Sequence, residues 1–296
     1  MSAVTLSRRV FLLAAVFAYL QIALGGVVRV TGSGLGCPDW PLCHGRPYPP
    51  ADLNAIIEYS HRTVGAITGV LIIATVVAAW AVFRVRRPAV TWLATAAVIA
   101  VAVEGGLGGV VVVSELKPWL VAVHLGLAMV ILGCLIAASV LSLPESPGID
   151  SVGFRRLAAA AVAGTYVLLL SGSSVVATQS DQSCRSWPLC DVSSVNTFAL
   201  LHRGVALLAG LLIIAFLVAA YRNGLRFFAV ATAVVLLLQA AIGAVAAITD
   251  AAAANGLHVA IATLVWSGVL TTALLAVPRA DRESAHAHLQ VQKTPV

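Results

Sequence analysis

The sequence predicts an all-α integral membrane fold: eight transmembrane helices arranged as two pseudo-symmetric four-helix bundles. Three observations carry the prediction. Of 296 residues, 60% are hydrophobic and only 10% are charged, where a soluble domain carries about 25% charged. Eight apolar runs are long enough to cross a bilayer, which takes about 20 residues each. The second half of the chain repeats the first.

The runs are 10–31, 60–83, 89–113, 119–143, 155–178, 199–221, 225–248 and 256–277. The first, in SRRVFLLAAVFAYLQIALGG, has the arginine pair and the small-x-small Ala23-Leu24-Gly25 of a cleavable signal. The fifth run repeats it, so it is expected to be a retained helix. The second run opens within EYSHR, with His61 near its start, and the third ends in EGGLGGVVVV. The fourth, sixth and eighth each carry a histidine near the start. The end of the chain, RADRESAHAHLQVQKTPV, is polar and aperiodic and is expected to be a disordered tail over 279–296, its His286 and His288 without chemistry.

At an offset of 147, Gly25 meets Gly172, and Trp40-Pro41-Leu42-Cys43 meets Trp187-Pro188-Leu189-Cys190. At 141, His61-Arg62 meets His202-Arg203; at 135, Glu104 meets Gln239 and Gly108 meets Gly243; at 134, His124 meets His258. The offset changes in the loops, where insertions are tolerated. This defines an N-terminal half, 1–148, and a C-terminal half, 149–278. An even number of spans in each half implies a pseudo-symmetry axis along the membrane normal.

The net charge is +6, but the basic residues sit in short clusters between apolar runs, which excludes a nucleic-acid-binding face. With both termini in the cytoplasm, twelve of the eighteen lysines and arginines fall on the cytoplasmic side, as the positive-inside rule requires. The protein is therefore expected in the cell membrane, with the cysteine loops outside.

Cys37 with Cys43, and Cys184 with Cys190, are spaced C-x5-C in loops on the side where disulfides persist. A structural disulfide and a redox-active dithiol are both compatible with this, and four-thiolate zinc less so because the loops belong to different halves. Cys134, alone in the fourth span, reads as a small hydrophobe.

His61, His124, His202 and His258 lie at matched depth. Polar groups inside a membrane are costly and usually functional. Two imidazoles from facing helices of a bundle suit the axial positions of a haem, and EGGLGG and GAVAA leave room for a flat macrocycle. Satisfied structural histidines are the alternative. Arg62 and Arg203 each follow a histidine and are candidate propionate contacts, or else snorkel to water.

The halves are not equal. Glu58 precedes His61 by three residues, on one helix face, where the second half has Ala199. Arg29 corresponds to Val176, and Glu104 to Gln239. Glu58 is expected to face the first ring, or alternatively to pair with Arg62 or Arg29 at the surface. The first half therefore reads as the reaction site and the second as the holder of a permanent redox group. Glu104 is assigned no chemistry.

GGVVRVTGSGLGCPDWPLCHG, then EYSHR, then a histidine opening the fourth helix, resemble the heme A synthase family over residues 10–277. The resemblance implies eight transmembrane helices in two halves and oxidation of a porphyrin methyl of heme O to a formyl group, supplying heme A to terminal oxidases. It implies that His61 and His124 receive the substrate haem, that His202 and His258 ligate heme b, and that Glu58 is the functional carboxylate. Cys37 and Cys43 match the family's outer-loop pair, whereas CRSWPLC follows TQSDQS rather than TGSGLG.

No cysteine is placed as a thiolate ligand, and two histidines on one iron leave no site for O2. The expectation is electron removal followed by attack of water, with Glu58 as general base or electrostatic stabiliser. Heme b is expected to relay electrons to an unidentified acceptor, and a heme O synthase is the expected neighbour. The rival is a two-haem membrane quinol oxidoreductase. A haem-free repeat transporter and a disulfide-generating oxidase explain less.

Overall fold

The computed structural model describes residues 2–178, 180, 184–190 and 196–279. The polar tail from 280 and most of the stretch before Cys184 lie outside the described residues. The helices are α1 (Ala3–Val30), α2 (Leu53–Val82), α3 (Pro88–Val113), α4 (Pro118–Leu141), α5 (Val152–Ala177), α6 (Thr197–Arg222), α7 (Arg226–Thr249) and α8 (Ala252–Leu275). All eight are long and apolar enough to span a bilayer, and the chain is a multi-pass membrane protein.

Several helices begin earlier than apolarity alone predicts. α2 starts at Leu53 rather than 60, because the Asp52 side chain accepts a hydrogen bond from the Ala55 N–H and caps it. Ser2, Ser151 and Asn196 cap α1, α5 and α6 in the same way. Capping satisfies backbone N–H groups that the helix leaves open, so a polar first turn joins the helix although hydropathy assigns it to the loop. The extra turns of α2 place Glu58 and His61 on one rigid element.

Within the first half, α1 packs on α2 and α4, and α3 packs on α2 and α4; α5 to α8 repeat this ring. α2 and α4 are therefore diagonal, as are α6 and α8. The halves meet through α1 and α4 on one side and α5 and α8 on the other. Two aromatic side chains fasten this contact to α4. Trp266 Nε1 donates to Met129 O (3.1 Å) and Tyr166 Oη donates to Gly126 O (3.1 Å). Each satisfies the one polar group of a ring otherwise buried in apolar surroundings.

The two ends of the molecule differ in chemistry. At the end where α1 and α5 begin, apolar clusters around Phe11, Phe83 and Val90, and around Phe154, Ile213 and Phe216, fill the bundle interiors. There Arg8 Nε donates to Ser142 O (2.6 Å), and Arg87 Nη1 donates to the Leu141 and Leu143 carbonyls. Arginines thus close the carbonyl end of α4. The linker between the halves pairs with the end of α8, Ser146 and Arg279 exchanging backbone hydrogen bonds of 3.0 and 2.8 Å. The opposite end holds both cysteine loops and all four span histidines.

Candidate functional site

His61, His124, His202 and His258 fall six to nine residues into α2, α4, α6 and α8. At 1.5 Å per residue that is about 7 to 12 Å along each helix. His61 and His124 stand on the diagonal helices of the first bundle, and His202 and His258 on those of the second.

Each imidazole passes a glycine on the preceding helix. A Cβ at Gly25 would lie 3.1 Å from His61 Cε1, at Gly108 3.4 Å from His124 Cε1, at Gly172 3.2 Å from His202 Cε1, and at Gly243 2.8 Å from His258 Cε1. The repeat-related glycines thus seat repeat-related rings. One turn earlier on three of those helices stands a polar side chain. Gln21 Nε2 donates to His61 Nε2 across 3.3 Å, and Gln239 Nε2 lies 3.1 and 3.2 Å from the two nitrogens of His258. Glu104 Oε1 is 3.1 Å from His124 Nδ1, close but misaligned for a hydrogen bond.

α5 breaks the pattern, with Leu168 at the position of Gln21. Ser171 serves His202 instead. Its hydroxyl donates to Leu168 O (2.7 Å), so it accepts from His202 Nδ1–H at 2.9 Å. This leaves Nε2 of His202 as the nitrogen with a free lone pair, the arrangement of a metal-ligating imidazole.

Sequence reasoning identified the four histidines but missed Gln21 and Ser171. An amide inside an apolar span four residues before Gly25 was a readable signal. Ser171 had none, because its repeat mate is Leu24.

The first cysteine loop closes over this end of the bundle. Both C-x5-C pairs are disulfides, with Cα–Cα distances of 4.6 and 5.1 Å. The four thiols are therefore consumed pairwise, with none left for zinc. Cys134 is half-buried among apolar side chains, as its sequence context predicts.

Glu58 is 3% exposed and bound on both oxygens. Oε2 accepts from the Cys37 backbone N–H (2.7 Å) and Oε1 from Arg62 Nη2 (2.5 Å). The pairing with Arg62 is the alternative weighed from the sequence, except that it is buried rather than at the surface. Arg29 lines a polar cleft with Asp250 and Asn255 instead.

Arg62 does more than pair with Glu58. Nη1 donates to the carbonyls of Asp39 (2.7 Å) and Leu42 (2.6 Å), and Nη2 also to that of Cys37 (2.8 Å). Its fork, a candidate for a propionate, is here committed to the loop. Arg203 repeats the motif, donating to Pro188 O (3.3 Å) and Cys184 O (3.1 Å), with Ala199 where Glu58 would be. On the far side of the first loop, Trp40 covers α3 so closely that a Cβ at Gly109 would lie 3.1 Å from its ring. The second half has Ala244 there.

Asp39 folds the loop back on itself, accepting from Gly45 N–H on Oδ2 (2.7 Å) and from His44 N–H on Oδ1 (2.6 Å). The Gly45 bond first, then that of His44, holds its carboxyl below the ordinary value of 3.8. A depressed folded pKa contributes stability that is fully present above the unfolded value and is lost as pH falls through the folded one. Hydrogen-exchange protection of the His44 and Gly45 amides is therefore expected to fall on acidification below about pH 4, and to be absent at neutral pH in Asp39→Ala. Equal protection in both proteins would show that these bonds do not hold the loop.

The residues fit a haem in each half. Two imidazoles stand on diagonal helices of each bundle, and imidazole nitrogens are the axial donors that haem iron takes. Among the described residues no group of three His, Cys, Asp or Glu forms a metal cluster of another kind. Gln21 Oε1, His61 Nδ1, Glu104 Oε2 and Gln239 Oε1 are buried without hydrogen-bond partners, a costly condition that gathers polar atoms where a guest would sit.

A model of the cytochrome oxidase assembly protein family, COX15-CtaA, matches residues 8–56 and 52–270. A heme A synthase from Exiguobacterium sp. strain AT1b is 32% identical over 201 residues, 66% of this chain and 66% of that protein. The heme A synthase of Bacillus licheniformis is 28% identical over 247 residues, 76% of this chain and 81% of that protein. That of Shouchella clausii is 30% identical over 210 residues, covering 66% and 69%. The aligned stretch is thus just under two thirds of the first relative and about four fifths of the second.

Proposed function

The chain belongs to the COX15-CtaA family of cytochrome oxidase assembly proteins, and on that premise we propose that it is a membrane oxidoreductase converting heme O to heme A. The observation that carries this reading is a pair of histidine sites related by the repeat, only the first of which has a carboxylate, Glu58, fastened beside it by the cysteine loop. An electron carrier would need two like sites and nothing more.

In this reading His61 and His124 hold the substrate, and His202 and His258 hold heme b. Heme b supplies one-electron redox chemistry for passing electrons to an acceptor. Turning a methyl into a formyl group with water as the oxygen source releases four electrons and four protons per carbon. Glu58, with one oxygen on Arg62 and the other on a backbone N–H, is better suited to stabilising positive charge at that carbon than to taking a proton from water. Groups in such roles contribute about 10²–10⁴ in rate. The basic clusters support cytoplasmic termini and outward-facing cysteine loops. A heme O synthase is the proposed supplier of substrate.

Haem analysis tests the reading. Purified protein, expressed with a source of heme O, is expected to yield heme b together with a formyl haem on extraction. Two unmodified haems of fixed type would instead identify a two-haem quinol oxidoreductase.

A further inference from the structure

We propose that Arg62 is a positioning residue for Glu58, acting through the Cys37–Cys43 loop; this rests on the assignment of Glu58 to the reaction. A glutamate on an early turn of a helix has free torsions and would ordinarily sample several rotamers. Here Arg62, one turn further along α2, holds one carboxylate oxygen and the Cys37 N–H holds the other. The N–H donor is fixed in turn. The same guanidinium grips the carbonyls of Cys37, Asp39 and Leu42, so that one side chain reads both the loop and the carboxylate.

The disulfide closes the loop between those carbonyls, and Gly36 presses it against the first turn of α2. Arg203 holds the second loop by two carbonyls, that of Cys184 matching Cys37, with no carboxylate to orient. The tether is thus common to both loops, and its use to aim a side chain is confined to the first.

Only a planar fork can serve four acceptors in this geometry. Arg62→Lys keeps the charge and loses the fork. It is expected to lower kcat at least about tenfold while KM for heme O and the heme b content stay unchanged, misplacement of a reacting group by about 1 Å costing up to about 100-fold. Glu58→Gln lowers kcat further. The double variant is expected to be no slower than Glu58→Gln alone, because Arg62 then has nothing to aim.

A second readout is independent of turnover. In purified full-length protein, the rate at which dithiothreitol opens Cys37–Cys43, followed by thiol alkylation and mass spectrometry, is expected to rise at least about threefold in both single variants. Cys184–Cys190 serves as the internal reference. Should Arg62→Lys fail to accumulate, Gly36→Ala displaces the Cys37 N–H while leaving Arg62 in place, and the same comparisons apply.

Losses that multiply in the double variant, or a rise in KM alone for Arg62→Lys, overturn the positioning role and assign Arg62 to the substrate's carboxylates. Unchanged opening of Cys37–Cys43 in both single variants removes the link through the loop. Normal turnover in Glu58→Gln removes Glu58 from the reaction, and the positioning role falls with it. A slow Glu58→Gln with multiplying losses removes the positioning role alone.

Discussion

Replacing His202 and His258 together by alanine is expected to remove heme b from the purified protein, while heme O still binds at His61 and His124. Both candidate axial ligands of that half disappear. Loss of a single outer partner of a metal ligand costs about 10–100-fold in affinity. Loss of both ligands is expected to exceed about 100-fold. The reciprocal pair, His61→Ala with His124→Ala, is expected to abolish heme O binding and keep heme b. Optical difference spectra of each variant, with extracted haem identified, separate the two. Equal loss of both haems from either pair would show that the halves do not hold separate sites.

Gly36→Ala is expected to unseat the first cysteine loop. A Cβ there would lie 2.4 Å from the Asn54 carbonyl carbon and 2.5 Å from Ala55 N. Both are backbone atoms of the first turn of α2, so no rotamer change relieves the contact. The backbone of Gly36 is itself ordinary, with φ of −62°, so the effect is steric alone. Overpacking of this kind costs about 1–3 kcal/mol. The loop must lift by the difference, taking the Cys37 N–H away from Glu58, and turnover is expected to fall at least about tenfold with the histidine sites still loaded. Gly34→Ala is a useful contrast, since its Cβ meets the end of the Leu116 side chain at 2.8 Å, which can swing aside. A Gly36→Ala protein with unaltered thermal stability and turnover would show that the loop is not seated in this way.

The histidines and the two-bundle plan were legible in the sequence because duplication repeats them at nearly constant offsets. Glycine seats could be matched in the same way, Gly25 with Gly172 and Gly108 with Gly243. Helix starts were less legible. Asp52, Ser151 and Asn196 are polar, and apolarity cannot distinguish a capped first turn from a loop. Gln21 and Ser171 do equivalent work from non-equivalent positions, which a comparison of halves cannot reveal. The fastening of Glu58 depends on where loop carbonyls point, a property of the backbone path that residue types do not encode locally. Spacing placed Glu58 with His61, but only the folded loop shows what its oxygens touch.

The packing of the halves also governs access. Joining through α1, α4, α5 and α8 assigns α2 and α3 to the lipid-facing flank of the first bundle. A greasy tetrapyrrole dissolved in the bilayer would meet that flank first. On the proposed function, a substrate delivered through the bilayer would therefore reach the first bundle away from the seam between the halves.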